Sequence, residues 1–367
     1  MPELARHAPG STKGRSLPYN PFVIWVARHL LLICVSVALA AAAARAQAAR
    51  TTSAAAPAID SKVAEAQRLL QAGQADAAIA VLSALSGNGS TAATINHLLG
   101  LAYYQKNDYA HAIEYLSRSL SQTAVDSKQR RQSVQLLGMA HFFLNHYKEA
   151  IPYLEQVKTW APDNVEAAYV LGISHIQTGN PDAARAAFAR MFKVPPASAA
   201  AHLLNAQMMI RQEFEDFAEK ELRAALALDP RLPQAHFLLG ELAIYRANIA
   251  LGIELLQKEI EINPGFGMAY YRLGEAYTRE LKWDEAIGPL QKAIWLSPYF
   301  SGPYIVLGKV YLKKGDLTNA EGMLRRALKM DPNNYSGHHL LAQVLRAANR
   351  PDEAKKEFET AEQLRNQ

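Results

Sequence analysis

The sequence predicts an all-α fold in which repeated helical hairpins stack into a solenoid. Two observations carry this prediction. Prolines recur with a step of 34 residues over most of the chain, and two series of small residues keep the same step. A fixed period of this length is typical of repeat architectures, in which each unit buries its apolar face against its neighbours.

The three series share one register. The prolines are Pro162, Pro196, Pro230, Pro264, Pro298 and Pro332. The first series of small residues is Gly138, Gly172, Ala206, Gly240, Gly274, Gly308 and Ala342. The second is Ala150, Ala184, Ala218, Gly252, Ala286, Ala320 and Ala354. Three series in one register indicate a structural period.

Each unit is predicted to be a helical hairpin. Gly274 lies inside the helix-period pattern Tyr270, Leu273 and Tyr277. A glycine inside a helix costs about 1 kcal/mol relative to alanine, so its recurrence favours the close approach of a second helix. That helix contains Ala286, which is small for the same reason. A short polar turn separates the two helices, and the closing proline ends the second one.

This pattern resembles the tetratricopeptide repeat. In one unit, the family's signature positions are occupied by Tyr270, Leu273, Gly274, Tyr277, Ala286, Leu290, Ala293 and Pro298. The resemblance covers residues 59–367 and implies a right-handed superhelix of about nine repeats. The predicted repeats are 59–92, 93–130, 131–164, 165–198, 199–232, 233–266, 267–300, 301–334 and 335–367, with four residues inserted within 121–129.

The N-terminal 48 residues are predicted to direct export. Lys13 and Arg15 precede an apolar run at 30–44, in which Ser36 is the one polar residue, and Ala-x-Ala cleavage patterns occur at 44–46 and 46–48. A cleaved signal peptide and an uncleaved membrane anchor through residues 22–44 both remain open, since a spanning helix needs about 20 apolar residues. Either interpretation places the rest of the chain in the periplasm or cell envelope, with inner-membrane anchoring in the second case. Residues 49–58 are predicted to be a linker.

The charge distribution argues against a nucleic-acid partner. The chain carries 39 basic and 34 acidic residues, a formal net charge of +5. Six of the basic residues and one acidic residue lie in 1–50, so the remainder carries equal numbers of both. A nucleic-acid binder needs a basic surface, and residues 51–367 have no net excess to build one. We therefore expect no nucleic-acid partner.

The residues suited to chemistry form no recognisable active site, so the protein is predicted not to be an enzyme. The chain contains no HExxH, GxSxG or Walker-type motif. The single cysteine, Cys34, lies in the N-terminal apolar run, which excludes a disulfide or cysteine-ligated metal in the repeats. We expect no cofactor and no metal, and interpret the equivalent histidines His141 and His175, and His202 and His236, as packing between helices.

The family resemblance implies a binding groove, because the first helix of each hairpin lines the concave face in this family. The positions carried across are Tyr104, Gln135, Phe142, Phe143, Tyr169, Arg211, Phe237, Tyr245, Tyr271, Glu275, Arg279, Lys309, Lys313 and Arg346. The first half is rich in aromatic residues and the last three repeats are basic. This favours a protein or peptide segment with an acidic end. The alternative that some aromatics only pad helix contacts remains open.

Two sites known from other members of the family are missing. A clamp for a terminal carboxylate would require Lys and Asn where this chain has His97 and Leu101. An asparagine ladder is also absent, because its positions hold apolar residues, except for Arg272.

These observations predict an exported, non-enzymatic scaffold or adaptor that binds a protein segment in the groove. Two alternatives remain. The chain could be an accessory to an enzyme or a transferase-like protein with an unrecognised site. It could also be a self-assembling structural solenoid, because open-ended solenoids expose their terminal faces.

Overall fold

The structure of the chain is a computed structural model that describes residues 56–85 and 89–366. Within these ranges it contains helices, turns and loops, and no β-strand. The predicted export segment lies outside the described residues. The predicted linker 49–58 is too long at its C-terminal end, because the first helix begins at Ala56. The composition explains this correction: alanine has the highest helix propensity, and proline is tolerated in a first turn.

The helices form two compact units that divide after Val170. Unit 1 contains α1 (Ala56–Gln71), α2 (Ala75–Ser83), α3 (Gly89–Gln105), α4 (Tyr109–Gln122), α5 (Lys128–Phe143), α6 (Tyr147–Trp160) and the start of α7 (Val165–Gln177). From α1 to α6 each helix packs against the next one in the chain. Odd-numbered helices are the first helices of the hairpins, and even-numbered helices are the second.

Unit 2 continues the same order. It contains the rest of α7, followed by α8 (Pro181–Met191), α9 (Ala199–Arg211), α10 (Glu215–Leu228), α11 (Ala235–Tyr245), α12 (Ile249–Ile262), α13 (Gly267–Arg279), α14 (Trp283–Leu296), α15 (Ser301–Lys314), α16 (Leu317–Met330), α17 (Tyr335–Ala347) and α18 (Pro351–Arg365). From α8 to α18 each helix contacts the next, and α13 also contacts α15. The predicted all-α solenoid class is confirmed.

Neighbouring hairpins share their apolar core. Ala286 and Leu290 of α14 form one buried cluster with Leu307 and Val310 of α15, the first helix of the following hairpin. Each of the four is at most 1% exposed. Because the core crosses from hairpin to hairpin, no hairpin buries its apolar face alone.

The recurring glycine lets the two helices of a hairpin approach closely. A Cβ atom placed on Gly274 would lie 2.5 Å from Cγ and 2.6 Å from Cδ2 of Leu290, which is fully buried. The same approach occurs at Gly100 with Leu116, Gly138 with Leu154, and Gly308 with Leu324. The close approach inferred from the sequence is therefore confirmed at these hairpins.

The turn inside each hairpin contains one residue in the left-handed backbone region. These residues are Gly73, Asn107, Asn145, Gly179, Glu213, Ala247, Leu281, Gly315 and Asn349, with φ between 58° and 75° except for Gly315 at 80°. Glycine and asparagine tolerate this conformation, whereas other side chains are strained in it. Glu213, Ala247 and Leu281 therefore hold a strained turn.

Replacing Leu281 by glycine is expected to stabilise the protein by about 0.5–1 kcal/mol, because glycine removes the steric cost of the left-handed conformation. Leu281 is 68% exposed, so little buried apolar area is lost with its side chain. Urea unfolding monitored by helical circular dichroism measures the change. Gly315→Leu is the matched reverse substitution and should destabilise by a similar amount. A lower stability for Leu281→Gly would contradict the strain argument.

Candidate functional site

The predicted groove residues lie on accessible parts of the first helices. The half-buried ones are Tyr104, Gln135, Phe142, Phe143, Tyr169, Phe237, Tyr271, Glu275 and Lys309. The exposed ones are Arg211, Tyr245, Arg279, Lys313 and Arg346. None of them belongs to the buried core.

In unit 1, three predicted residues lie in a cluster of aromatic rings. Phe143 is 6.3 Å from Tyr104 and 5.7 Å from Phe142, measured between ring centroids. Two tyrosines that the sequence analysis missed complete the cluster. Tyr109 stacks on Phe143 at 4.8 Å, and Tyr147 meets Phe142 edge-on at 5.7 Å. Both tyrosines begin second helices, α4 and α6.

In unit 2, two of the predicted aromatics support a turn. Phe237 packs edge-on against Phe266 at 4.9 Å, and Tyr271 packs in the same way against Phe300 at 5.1 Å. The two pairs are one repeat apart. Each joins a first helix to the loop that leads into the following hairpin. Phe237 and Tyr271 therefore contribute largely to packing within the protein, which is the alternative role left open for the groove aromatics.

Three other predicted residues, Tyr245, Glu275 and Arg279, meet in one cavity of unit 2. It encloses about 280 Å³ between α11 and α13. We call it the Arg272 pocket, and its lining is Glu241, Ile244, Tyr245, Arg272, Glu275, Ala276 and Arg279. All seven residues belong to first helices, so the pocket opens on the face that the family resemblance assigns to ligands.

Arg272 lies between two carboxylates. Its Nη1 donates to Oε2 of Glu275 at 2.7 Å, and its Nη2 lies 2.9 Å from Oε2 of Glu241. The pair with Glu275 is one turn apart on α13, whereas the pair with Glu241 connects α13 to α11. All three side chains are only partly exposed, between 26% and 37%. One arginine thus pairs with two carboxylates, which leaves one net negative charge in this group, and ties two first helices together.

The partial burial of this network shifts the pKa values of its members. Burial, reinforced by the charge of Glu275, raises the pKa of Tyr271 to about 12. Burial also raises the pKa of Glu241, although the nearby Arg272 opposes the rise. For Arg272, burial disfavours the charge, but hydrogen bonding to Glu275 and the charge of Glu241 outweigh it and raise its pKa.

Tyr245 and Arg279 are the accessible groups of the pocket. Tyr245 is 76% exposed, and Arg279 is exposed at the end of α13. No carboxylate among the described residues lies within ion-pair distance of Arg279. The two carboxylates and two arginines of the lining give the pocket no net formal charge, and the guanidinium of Arg279 is its most exposed charged group.

The other predicted basic residues lie outside the pocket. Lys309 and Lys313 are on α15, and neither forms an ion pair with a described residue. Arg346 of α17 lies over the ring of Phe358, with 5.5 Å between its guanidinium carbon and the ring centroid. Arg211 is exposed at the end of α9. Lys309, Lys313 and Arg346 belong to the last three repeats, where the sequence predicts a basic end of the groove. Arg211 does not.

A buried carboxylate in unit 1 is an additional site feature. Glu166, in the first turn of α7, is half-buried, and its Oε1 atom is buried without a hydrogen-bond partner among the described residues. Burial raises its pKa to about 7. The charge of Glu166 also contributes to raising the pKa of Tyr104, after the larger effect of burial. The charge of Glu166 therefore acts on one tyrosine of the aromatic cluster.

Three of the histidines noted in the sequence contact other side chains of the protein. His141 stacks on Tyr153 at 5.6 Å, and Nδ1 of His202 lies 2.8 Å from Oε2 of Glu221. His97 is buried and hydrogen-bonds Ser133 at 2.9 Å, and burial lowers its pKa to about 4. Across residues 56–85 and 89–366, no group of three or more His, Cys, Asp and Glu side chains is arranged to hold a metal ion.

Comparison with known families agrees with this arrangement of hairpins. Models of the tetratricopeptide repeat match residues 63–127, 144–208, 268–298 and 311–367, which together are more than half of the chain. The chain belongs to the tetratricopeptide-repeat family. A search of curated protein sequences finds no match to this tetratricopeptide-repeat protein.

Several solved structures are similar to part of this chain. The crystal structure of MamA is 24% identical, with a TM-score of 0.41, and the alignment covers 44% of this chain and 94% of MamA. MamA from Desulfovibrio magneticus RS-1 is 18% identical, with a TM-score of 0.43 and coverages of 46% and 95%. YrrB, described as a tetratricopeptide-repeat protein with an unusual peptide-binding site, is 16% identical, with a TM-score of 0.42 and coverages of 46% and 87%. At these identities and TM-scores, the structures carry no information about what this chain binds.

The membrane attachment considered for residues 22–44 falls outside the described residues. In the part of the chain that the structure describes, no helix is both long enough and apolar enough to span a membrane.

Sequence reasoning missed two of the groups that define these sites. Arg272 carried a usable signal, since it is the one charged residue in a series of positions otherwise held by Leu and Val. Glu166 carried none, because an acidic residue in the first turn of a helix is ordinarily explained by the helix dipole. Asp284 shows that ordinary case: it is exposed and pairs with Lys314.

Proposed function

We propose that this tetratricopeptide-repeat protein is a non-enzymatic scaffold that binds a segment of another protein on its first-helix faces, with the Arg272 pocket as an anchoring point. One observation carries the proposal. The pocket joins a mostly exposed aromatic side chain, Tyr245, to an exposed arginine, Arg279, which forms no ion pair with a described residue. Tyrosine and arginine are the residue types that most often dominate the energy of protein interfaces.

The exposed arginine of the pocket, together with lysines on the following first helix, favours an acidic segment. Arg272 is fully engaged by Glu241 and Glu275, so an incoming carboxylate meets Arg279 without displacing an internal ion pair. Lys309 and Lys313, on the following first helix, add two unpaired cations. Complementary charge raises the association rate and selects against basic segments. The binding of such a segment should therefore weaken as the salt concentration rises.

The internal ion pairs support binding and do not indicate catalysis. A carboxylate with a raised pKa in a cavity can indicate an acid–base catalyst. Here the raised pKa of Glu241 comes from burial, and its carboxylate is held by Arg272. The arrangement fixes the spacing of α11 and α13, which is what a preorganised binding surface needs.

Replacing Arg279 by alanine is expected to weaken binding of an acidic segment about tenfold, the usual cost of losing an interfacial arginine. The probe is a fluorescein-labelled peptide selected from a displayed library on the full-length protein and then resynthesised. Fluorescence anisotropy measures its affinity, and thermal unfolding shows whether the fold is retained.

Arg223→Ala is the matched control for this test. Arg223 is also exposed, but it lies on the second helix α10 and pairs with Glu219. It should leave peptide affinity unchanged. Equal losses for the two variants would assign binding to general charge rather than to the pocket. Selection of basic peptides instead of acidic ones would overturn the proposed ligand class.

We also infer that the protein works in the cell envelope, either released after cleavage or anchored by residues 22–44. The support is the apolar run at 30–44, with basic residues before it and Ala-x-Ala patterns at its end. Mass spectrometry of the mature protein's N-terminus tests it. A start near residue 47 or 49 would indicate cleavage, an intact N-terminus in the membrane fraction would indicate an anchor, and a full-length soluble cytoplasmic protein would refute both.

A further inference from the structure

A second cavity of unit 2 lies between two second helices, α12 and α14, with the first helix α13 as its third side. It encloses about 510 Å³. We call it the Gly288 groove, and its lining is Gln257, Ile260, Glu261, Tyr270, Leu273, Gly288 and Pro289. Its volume is within the range of about 300–1,000 Å³ that is usual for binding pockets. The groove is therefore large enough for an aromatic side chain.

Gly288 keeps this groove open. It is exposed on α14, and nothing lies within 4 Å of the position that its Cβ would occupy. The equivalent residues of the three preceding hairpins are Glu254, Lys220 and Ala186, which all have side chains. A glycine in the interior of a helix costs about 1 kcal/mol relative to alanine. The close approach of a second helix, which explains Gly274, does not explain this glycine.

The lining of the groove is apolar, with one exposed carboxylate. Its apolar surface comes from Ile260, Leu273, Pro289 and the ring of Tyr270. Glu261 is exposed and forms no ion pair with a described residue. Aromatic rings are enriched in the apolar centres of protein interfaces, and opposite charges pair around them. The groove therefore suits an aromatic ring with a positive charge beside it.

The α14 helix itself displays such a ring. Trp295 is 71% exposed, whereas Trp160 and Trp283, the other described tryptophans, are half-buried. Nζ of Lys292 lies 3.9 Å from the ring centroid of Trp295, and Lys292 forms no ion pair with a described residue. Gly288, Lys292 and Trp295 have the spacing i, i+4, i+7. They therefore lie on one face of α14, with Trp295 about 10 Å beyond Gly288 along the helix.

We propose that the protein forms a two-fold symmetric dimer in which Trp295 of each copy enters the Gly288 groove of the other. The two α14 helices run antiparallel, with the symmetry axis midway between positions 288 and 295, so each ring lies opposite the glycine of the other copy. Such a contact uses the same surface twice and closes on itself. Lys292 enters with the ring of Trp295 and pairs with Glu261 of the partner subunit.

The size of this contact predicts a weak dimer. Tyr299, in the turn after α14, is 91% exposed and adds a second ring to the surface around Trp295. A buried aromatic side chain removes about 150–250 Å² from water, so two copies bury on the order of 1,000 Å², the lower end for specific interfaces. We expect a dissociation constant on the order of 10 μM. The dimer does not depend on the proposed function, because the Arg272 pocket takes no part in it.

Sedimentation equilibrium of the full-length protein, over about 1–100 μM, measures the association. Trp295→Ala should weaken the dimer at least about tenfold, the usual cost of removing a central tryptophan. Gly288→Phe should have a similar effect, because its ring would fill the groove from within. Ala186→Phe is the matched control and should leave the dimer unchanged, since Ala186 is exposed at the same register position of α8. Thermal unfolding shows whether each variant retains the fold.

An exchange of charges tests the pairing between the two copies. Lys292→Glu and Glu261→Lys should each weaken the dimer about fivefold, because each variant brings two like charges together. The variant with both substitutions should recover most of the wild-type association, since opposite charges then meet again. Lys292 and Glu261 form no ion pair within the described chain, so this recovery reports on the contact between copies.

Photo-crosslinking locates the contact. A benzophenone side chain at position 295, in a mixture of isotopically heavy and light protein, should give mixed adducts within residues 257–289. A monomer at every concentration, or a dimer unchanged by either Trp295→Ala or Gly288→Phe, would overturn the inference. Larger open assemblies would also overturn it, as would adducts in cells with other proteins only, which would assign the groove to another occupant. The Arg279 experiment is unaffected by these results.

Discussion

Gly274→Ala is expected to lower the free energy of unfolding by about 1 kcal/mol. The new methyl group would lie 2.5 Å from Cγ of Leu290, an atom close to the backbone of α14 that cannot swing away. Overpacking of this kind costs about 1–3 kcal/mol, occasionally more, and the better helix propensity of alanine returns about 1 kcal/mol. The remaining cost falls on the α13–α14 contact.

Gly322→Ala is the matched control for the close approach. Gly322 is in the interior of α16, and nothing lies within 4 Å of the position of its Cβ. The same chemical change should therefore stabilise the protein by about 0.5–1 kcal/mol through helix propensity alone. Urea unfolding followed by circular dichroism compares the two variants. Stabilisation by Gly274→Ala would show that the helices of this hairpin do not need the glycine.

Glu166→Gln is expected to make the protein more stable at high pH and to leave its stability unchanged at low pH. The folded state holds the carboxyl at a pKa of about 7 rather than 4.5, which corresponds to a penalty on the order of 3 kcal/mol once it is ionised. Below pH 4.5 the carboxyl is protonated in both states, so there is no penalty. Between pH 4.5 and 7 the unfolded state has released this proton while the folded state still holds it, so the folded state loses stability as the pH rises, and the loss is complete above pH 7.

The measurement is the difference in unfolding free energy between wild type and Glu166→Gln from pH 4 to pH 9. The difference should grow between pH 4.5 and 7 and reach about 2–3 kcal/mol above pH 8. Other carboxyls titrate equally in both proteins and cancel. A flat profile for Glu166→Gln would mean that the carboxylate is already compensated in the folded state.

The hairpins could be predicted from the sequence because their determinants are short-range and repeated. Gly274 and Ala286 mark the close approach of two helices only twelve residues apart, and the position of the turn follows from them. The strain at Leu281 could not be predicted, because the residue type argues against a left-handed conformation. Its place in the register, 34 residues from Ala247 and from Gly315, was the usable signal.

The binding residues were harder to predict because their roles depend on distances between helices. Tyr245 and Arg279 follow from their register positions on first helices. The function of Arg272 depends on Glu241, which lies on a different helix. The same limit applies to Glu166, since residue spacing does not show whether its carboxylate is buried.

The predicted groove aromatics differ in what they are free to do. Phe237 and Tyr271 pack against Phe266 and Phe300, so their substitution would disturb loops as well as any ligand. Tyr245 has no such ring partner among the described residues and is mostly exposed. In a mutational scan of the groove, substitution of Tyr245 should therefore report on ligand binding more directly than substitution of Phe237 or Tyr271.

The turn at Leu281 has a consequence for limited proteolysis. A protease cleaves where the backbone is accessible and can open locally, and a chymotrypsin-like enzyme also needs a large apolar side chain. The other hairpin turns place Gly, Asn, Glu or Ala at the equivalent position, whereas this one displays a leucine that is 68% exposed on a strained backbone. The first cleavage by such an enzyme would fall between α13 and α14, the two helices of one hairpin. All the lining residues of the Arg272 pocket would then lie on the N-terminal fragment.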